Sequence, residues 1–270
     1  MTNETFPIKV EGSLENSKLV TYIQENYDEI LIDKRPLVLI CPGGGYSYTS
    51  NREAEAFALQ FLSMGYHAAV LRYSCAPAHY PTALEELATA MKIVKEHSDE
   101  WSVSKVFVLG CSAGGHLAAS LGCFYASEEL NASVKTTPDT IRPDGMILCY
   151  PVITSGNFAH RGSFDNLLGD LSNNTEMLEK MSLENQVTNE FPPTFMWHTC
   201  EDTSVPLENS LLMFGALRAA GVPCEYHVYP HGSHGLGLAN ALTQKSDGGG
   251  IQEECTTWIS LVQIWLENQM

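Results

Sequence analysis

Positive charge is scarce in this chain. Fifteen lysines and arginines face 32 aspartates and glutamates, a formal net charge of −17. Such a surface repels phosphate backbones, which argues against nucleic acid and against anionic membrane surfaces as partners. Long apolar runs are missing as well. Hydrophobic stretches stop at the length of a β-strand, so no membrane-spanning helix is expected. The first residues, Met1-Thr2-Asn3-Glu4-Thr5-Phe6-Pro7, lack a basic start followed by an apolar core, so no signal peptide is expected. Eight cysteines are present but none forms a C-x-x-C pair. Cys41, Cys111, Cys149 and Cys200 fall at or just after the ends of apolar runs, which suits small buried core residues better than a disulfide framework. The expected setting is a reducing cytoplasm. Phosphate-cradling loops are absent too. Pro42-Gly43-Gly44-Gly45-Tyr46-Ser47 matches neither G-x-G-x-x-G nor G-x-x-x-x-G-K-[ST], so no nucleotide cofactor is expected. The pair His231-x-x-His234 has no clustered companions, so no metal is expected.

The 270 residues and 44% hydrophobic content fit one large domain over 1–270. Apolar runs predict strands at 18–23, 37–41, 66–73, 105–110, 146–150, 194–199 and 224–229. Residues 27–32 read either as a further strand or as an irregular connection. Helices are predicted over 52–64, with Ala56, Leu59, Phe61 and Leu62 inward, and over 82–97, with Leu84, Leu87, Met91 and Val94 at helical spacing. Further helices are predicted over 112–127, 206–220 and 252–268, the last with Trp258, Leu261, Ile264 and Trp265 inward. Residues 128–142 read as a polar surface connection. The alternation predicts an α/β fold, a mostly parallel sheet with helices on both faces. Residues 152–191 are long and poorly periodic, and a connection of that length is expected to be a small cap or lid insertion.

One stretch organises the rest. Val106-Phe107-Val108-Leu109 is a buried strand, Gly110-Cys111-Ser112-Ala113-Gly114 fits G-x-S-x-G, and a helix follows. A strand that turns sharply through a serine into a helix is the context that gives this motif meaning. Glycines at 110 and 114 relieve collisions beside the turn, and the helix N-terminus suits a developing anion. The bland alternative is a Gly-rich turn whose serine caps a helix.

A serine hydroxyl needs a base, the base an orienting acid, and the oxyanion a set of donors. The acid candidate is Asp202, in the loop after the 194–199 strand, with Glu201 as rival. The base candidate is His234, flanked by Ser233 and Gly235 after the 224–229 strand, with His231 as rival. Both loops follow strands at the edge where ligands gather in open parallel sheets. His198 and His116 read as structural or supporting residues. The donor candidates are the N–H groups of Ala113 and of the Gly43-Gly44-Gly45 loop. Tyr46 reads either as a wall of the pocket or as a packing residue.

These motifs resemble those of an α/β-hydrolase of the esterase/lipase group. More narrowly they are similar to the small bacterial acetyl-esterase branch, acetyl-xylan-esterase-like and grouped with feruloyl-esterase-like domains. The resemblance rests on PGGGY at 42–46, LRYSCAP at 71–77, GCSAGGHLAAS at 110–120, RPDGMILCYPV at 142–152, HTCEDTSVP at 198–206 and HGSHGL at 231–236, in the family's order. It implies the α/β-hydrolase fold, with Ser112 as nucleophile, Asp202 as acid, His234 as base, and Gly44, Gly45 and Ala113 as oxyanion donors. Pro42 stands where many lipase-like relatives carry His. The implied activity is hydrolysis of short acyl esters, acetyl above all, of small molecules that include sugars. The alternatives left open are a peptidase or thioesterase on the same fold and a non-catalytic binding protein.

Overall fold

The computed structural model describes residues 1–270 and contains eight strands in one sheet. They are β1 (Thr2–Pro7), β2 (Lys18–Ile23), β3 (Arg35–Cys41), β4 (His67–Arg72), β5 (Val103–Cys111), β6 (Gly145–Cys149), β7 (Thr194–Thr199) and β8 (Cys224–Tyr229). The spatial order is β1-β2-β4-β3-β5-β6-β7-β8. β1 pairs antiparallel with β2, and β2 antiparallel with β4; every pairing from β4 to β8 is parallel. Nine helices accompany the sheet: α1 (Glu55–Ser63), α2 (Thr82–Glu96), α3 (Ala113–Phe124), α4 (Glu128–Ser133), α5 (Pro138–Ile141), α6 (Arg161–Leu168), α7 (Thr175–Met181), α8 (Glu208–Ala219) and α9 (Trp258–Asn268).

The central strands are apolar throughout because both of their faces are covered. In β3, Leu37, Leu39 and Cys41 face a core shared with α2, α3 and α8, while Val38 and Ile40 face a second core shared with α1 and α9. The same alternation continues in β5, where Val106 and Val108 oppose Phe107 and Leu109, and in β6, where Met146 and Leu148 oppose Ile147 and Cys149. Side chains one residue apart point to opposite faces, so each strand feeds both cores.

Several elements depart from the sequence expectation. β1 has no counterpart among the predicted strands. Its six residues are almost wholly exposed and carry no apolar alternation, so only backbone pairing to β2 marks it as a strand. Residues 27–32 form no strand. The 128–142 connection contains α4 and α5, which bury Leu130 and Ile141. In α1 the inward residues are Phe57, Ala58 and Phe61, while Leu59 is 52% exposed. In α9 Trp258, Val262, Trp265 and Leu266 are inward, while Ile264 is 57% exposed. Both helices carry apolar residues around most of their circumference, so spacing finds Phe61, Trp258 and Trp265 but misplaces Leu59 and Ile264. Cys200 is exposed, unlike Cys41, Cys111 and Cys149.

The 152–191 stretch carries α6 and α7. Phe164, Leu167, Leu168, Met181 and Leu183 from this stretch join the core that lies over α2 and α3. Met177 and Leu178 pack against that core in the same way. The start of the stretch is pinned by buried Asn209, whose Oδ1 accepts the N–H groups of Ile153 and Thr154 at 2.9 and 3.1 Å. No helix is long and apolar enough to cross a membrane.

Trp258 links α9 to the sheet. It stacks on Trp197 at a centroid distance of 5.4 Å, and its Nε1–H donates to the Gly237 carbonyl at 3.2 Å. Trp258→Ala is expected to cost about 3–5 kcal/mol through lost burial and the cavity left behind. Urea unfolding measures this; a loss below about 1 kcal/mol would show that the site collapses to fill the space.

Candidate active site

The turn at Ser112 is built by close approach. Ser112 has φ +54° and ψ −120°, a backbone conformation that L-residues rarely adopt. Its N–H donates to the Cys149 carbonyl at 3.0 Å, and its own carbonyl accepts from Val152, Gly115 and His116. A Cβ at Gly114 would lie 2.1 Å from the Cys41 carbonyl oxygen, and one at Gly110 would lie 2.2 Å from the Gly114 carbonyl oxygen. Glycine is therefore required on both sides for β3, β5 and α3 to meet.

Four loops at the C-terminal ends of the parallel strands bring side chains to this turn. From the loop after β8, His234 places Nε2 2.7 Å from Ser112 Oγ. From the loop after β7, Asp202 places Oδ2 2.5 Å from His234 Nδ1. With Nδ1–H donating to the carboxylate, Nε2 is left as an acceptor for the serine hydroxyl. The Asp202 carboxylate is fully buried and well supplied with donors. Oδ1 accepts from the N–H groups of Ser204 and Val205, and Oδ2 also accepts from His198 Nε2 at 3.2 Å. Burial opposes ionisation here, but the hydrogen bonds from His198 and His234 and the backbone of Val205 outweigh it. They hold the carboxyl well below the usual carboxylate range.

The rivals pair with each other outside this chain of bonds. Exposed Glu201 accepts from His231 Nδ1 at 2.9 Å and from the Gly232 N–H at 3.1 Å. His198 is buried between Asp202, the Val205 carbonyl and Ser210. His116 is buried too. Its Nε2 lies 2.9 Å from the Met181 carbonyl, which requires N–H there, so Nδ1 accepts the Tyr46 hydroxyl at 2.9 Å. Burial pushes its imidazole down to about 4, so it is neutral at ordinary pH. Tyr46 therefore belongs to the core rather than to the pocket wall. It is buried, and its ring packs edge-on against Tyr73 and His116. The aromatic that does reach the pocket from this loop is Tyr48.

The glycine loop after β3 is shaped by its backbone. Gly44 and Gly45 have φ +131° and +62°, and a Cβ on Gly44 would lie 2.0 Å from the Tyr48 carbonyl oxygen. The N–H groups of Gly44 and Gly45 donate to no protein acceptor, and Ala113 N–H opens α3 with no carbonyl inside the helix to reach. Two residues without a sequence signal hold this loop. Glu53, buried, accepts the Gly43 N–H at 2.8 Å and the Tyr150 hydroxyl at 2.8 Å, and Tyr150 Oη accepts the Gly237 N–H at 3.0 Å. Asn166 of α6 donates to the Gly45 carbonyl at 2.8 Å. The glycine loop, the histidine loop and the 152–191 stretch are thus cross-tied by polar groups that lie far apart in the chain.

A cavity of about 510 Å³ opens over Ser112 and His234. Of the 17 residues that line it, only Tyr48 is hydrophobic, so most of the lining residues carry polar groups that could bond a ligand. His160, Asn166, Lys245 and Arg52 are among the lining residues. None of these four is singled out by the sequence, because they come from segments with no motif.

The chain matches the BD-FAE family model over residues 22–217. It is 38% identical over 215 residues to the endo-1,4-beta-xylanase B of Butyrivibrio fibrisolvens, covering 77% of this chain and 33% of that one. It is 29% identical over 204 residues to the acetylxylan esterase of Xylanibacter ruminicola, covering 73% of this chain and 40% of that one. The chain therefore spans between 33% and 40% of the length of these curated relatives. Among solved structures, the acetyl ester-xyloside bifunctional hydrolase from Caldicellulosiruptor lactoaceticus aligns with a TM-score of 0.81 at 37% identity, covering 93% of this chain and 88% of that one. The architecture is the α/β-hydrolase fold.

The depressed Asp202 carboxyl has a consequence for stability. Its contribution is full above the unfolded carboxyl pKa of about 3.9 and is lost as pH falls through the lower folded value. Asp202→Asn removes the titrating group. The stability gap between wild type and this variant is expected to be constant from about pH 5 upward and to shrink below about pH 4. Urea midpoints at a series of pH values measure it; a gap that widens on acidification contradicts the assignment.

Proposed function

The chain belongs to the BD-FAE family of α/β-hydrolases, and on that premise we propose that it is a serine carboxylesterase acting on short-chain esters, acetyl above all, of sugars or other polyols. The observation that carries this reading is the unbroken hydrogen-bonded chain from Ser112 Oγ through His234 to Asp202, opening onto a polar cavity. Two of the relatives supply the substrate class by analogy, one an acetylxylan esterase and one an acetyl ester-xyloside hydrolase.

In the proposed reaction, Ser112 Oγ attacks the ester carbonyl as His234 Nε2 takes its proton. Asp202 holds the imidazole by Nδ1 and stabilises the cation that forms. The N–H groups of Gly44, Gly45 and Ala113 bind the oxyanion of the tetrahedral intermediate, which matters most in a site arranged before the substrate arrives. His234 then protonates the departing alcohol oxygen, leaving an acetyl group on Ser112. A water molecule, deprotonated by His234, attacks that acyl-enzyme and releases acetate. His160, Gly162 and Asn166 of the 152–191 stretch line the same cavity as Ser112 and His234, where the departing alcohol would lie.

Ser112→Ala is expected to lower kcat on an acetyl ester by about 10⁶ if nucleophile, base and acid act as a unit. Steady-state hydrolysis of 4-nitrophenyl acetate by purified wild type and variant checks it. Turnover by the variant within tenfold of wild type would remove Ser112 from the mechanism.

A further inference from the structure

The proposed chemistry uses one histidine, yet a second imidazole stands in the same cavity. His160 lies at the N-terminal end of α6 and lines the pocket with Ser112 and His234. Its Nδ1 is 2.8 Å from the hydroxyl of buried Ser163, which fixes the ring, and its Nε2 makes no hydrogen bond within the protein. The ring borders the glycine loop, since a Cβ on Gly45 would lie 3.8 Å from its Cε1. Asn166, six residues further along in α6, donates to the Gly45 carbonyl and ties this helix to the glycine loop. Burial lowers the imidazole pKa, and the neighbouring His234 lowers it further.

The departing alcohol oxygen must sit beside His234 Nε2 to receive its proton. His160 lines the same cavity, within which the rest of the alcohol moiety must be held. Resting on the esterase reading above, we propose that His160 is a specificity-determining residue whose Nε2 hydrogen-bonds a hydroxyl of the alcohol moiety of the ester. The Ser163 hydroxyl can donate to or accept from Nδ1, so Nε2 meets that substrate hydroxyl as donor in one tautomer and as acceptor in the other. Esters of polyols gain this bond and esters of phenols or plain alkanols do not. The residue acts on substrate choice and has no role in proton transfer to the leaving group.

Two substrates with the same acyl group separate the possibilities: a monoacetylated methyl xyloside and 4-nitrophenyl acetate. His160→Ala is expected to lower kcat/KM for the xyloside roughly tenfold more than it lowers kcat/KM for 4-nitrophenyl acetate, the worth of one hydrogen bond. His160→Gln, which restores a hydrogen-bonding group, is expected to recover some of the loss. Equal losses on both esters, or no loss on either, overturn the proposal. Wild-type hydrolysis of 4-nitrophenyl acetate without any of the xyloside overturns it while leaving the esterase reading intact. Hydrolysis of neither ester overturns both.

Discussion

At Ser112 the chain turns from β5 into α3 with φ +54°, and the arrangement of the rest follows from holding that turn. A non-glycine residue in such a region costs on the order of 1–3 kcal/mol, so the surroundings must over-determine it. They do so from three directions. The Cys149 carbonyl of β6 accepts the Ser112 N–H, Val152 donates back to the Ser112 carbonyl, and Gly114 lets α3 sit directly on the carbonyls that end β3. The parallel register of β3, β5 and β6 brings the C-terminal ends of these strands together at the turn. The strained turn in return lifts the serine hydroxyl clear of the sheet and leaves the Ala113 N–H at the open end of a helix. A sheet built for packing alone would have no use for such strain.

Charge is placed under a similar constraint. The chain carries a large negative excess, yet inside the site the ionised Asp202 carboxylate is buried. An unpaired buried carboxylate would take up a proton. Four donors prevent that, and two of them belong to histidines with separate duties: His198 anchors the loop after β7, while His234 reaches Ser112. Glu53 has a comparable role in the neighbouring layer, joining the glycine loop to Tyr150 and through it to the histidine loop. The loops owe their relative positions to these polar ties as much as to the apolar cores beneath them.

How much of this is legible in the sequence depends on the range of the signal. The strands buried on both faces announce themselves as apolar runs, and the glycine loop and the serine turn lie in short contiguous motifs. Ser112, Asp202 and His234 are each visible just beyond a strand end, and the structure brings the three within hydrogen-bonding distance. What is not legible depends on tertiary contact. β1 is a strand by virtue of its partner, and the inward faces of α1 and α9 are only partly found by spacing because apolar residues surround both helices. Tyr46 sits beside the donor loop in sequence but points to His116, a direction set by its positive φ. His160, Asn166 and Glu53 have no motif; they matter because loops from distant stretches of the chain converge on a single cavity.

That cavity joins the proposed nucleophile to hydroxyl, amide and imidazole side chains, which is the physical ground for the proposal of a polar alcohol in the substrate. The central claim is that Ser112 is made nucleophilic by His234. Intact-protein mass spectrometry after brief exposure to an organophosphonate tests it most directly. The account predicts a single adduct, located on the peptide containing Ser112, that forms rapidly in wild type and far more slowly in His234→Ala. An unlabelled wild type, or labelling at an equal rate in the variant, would contradict it.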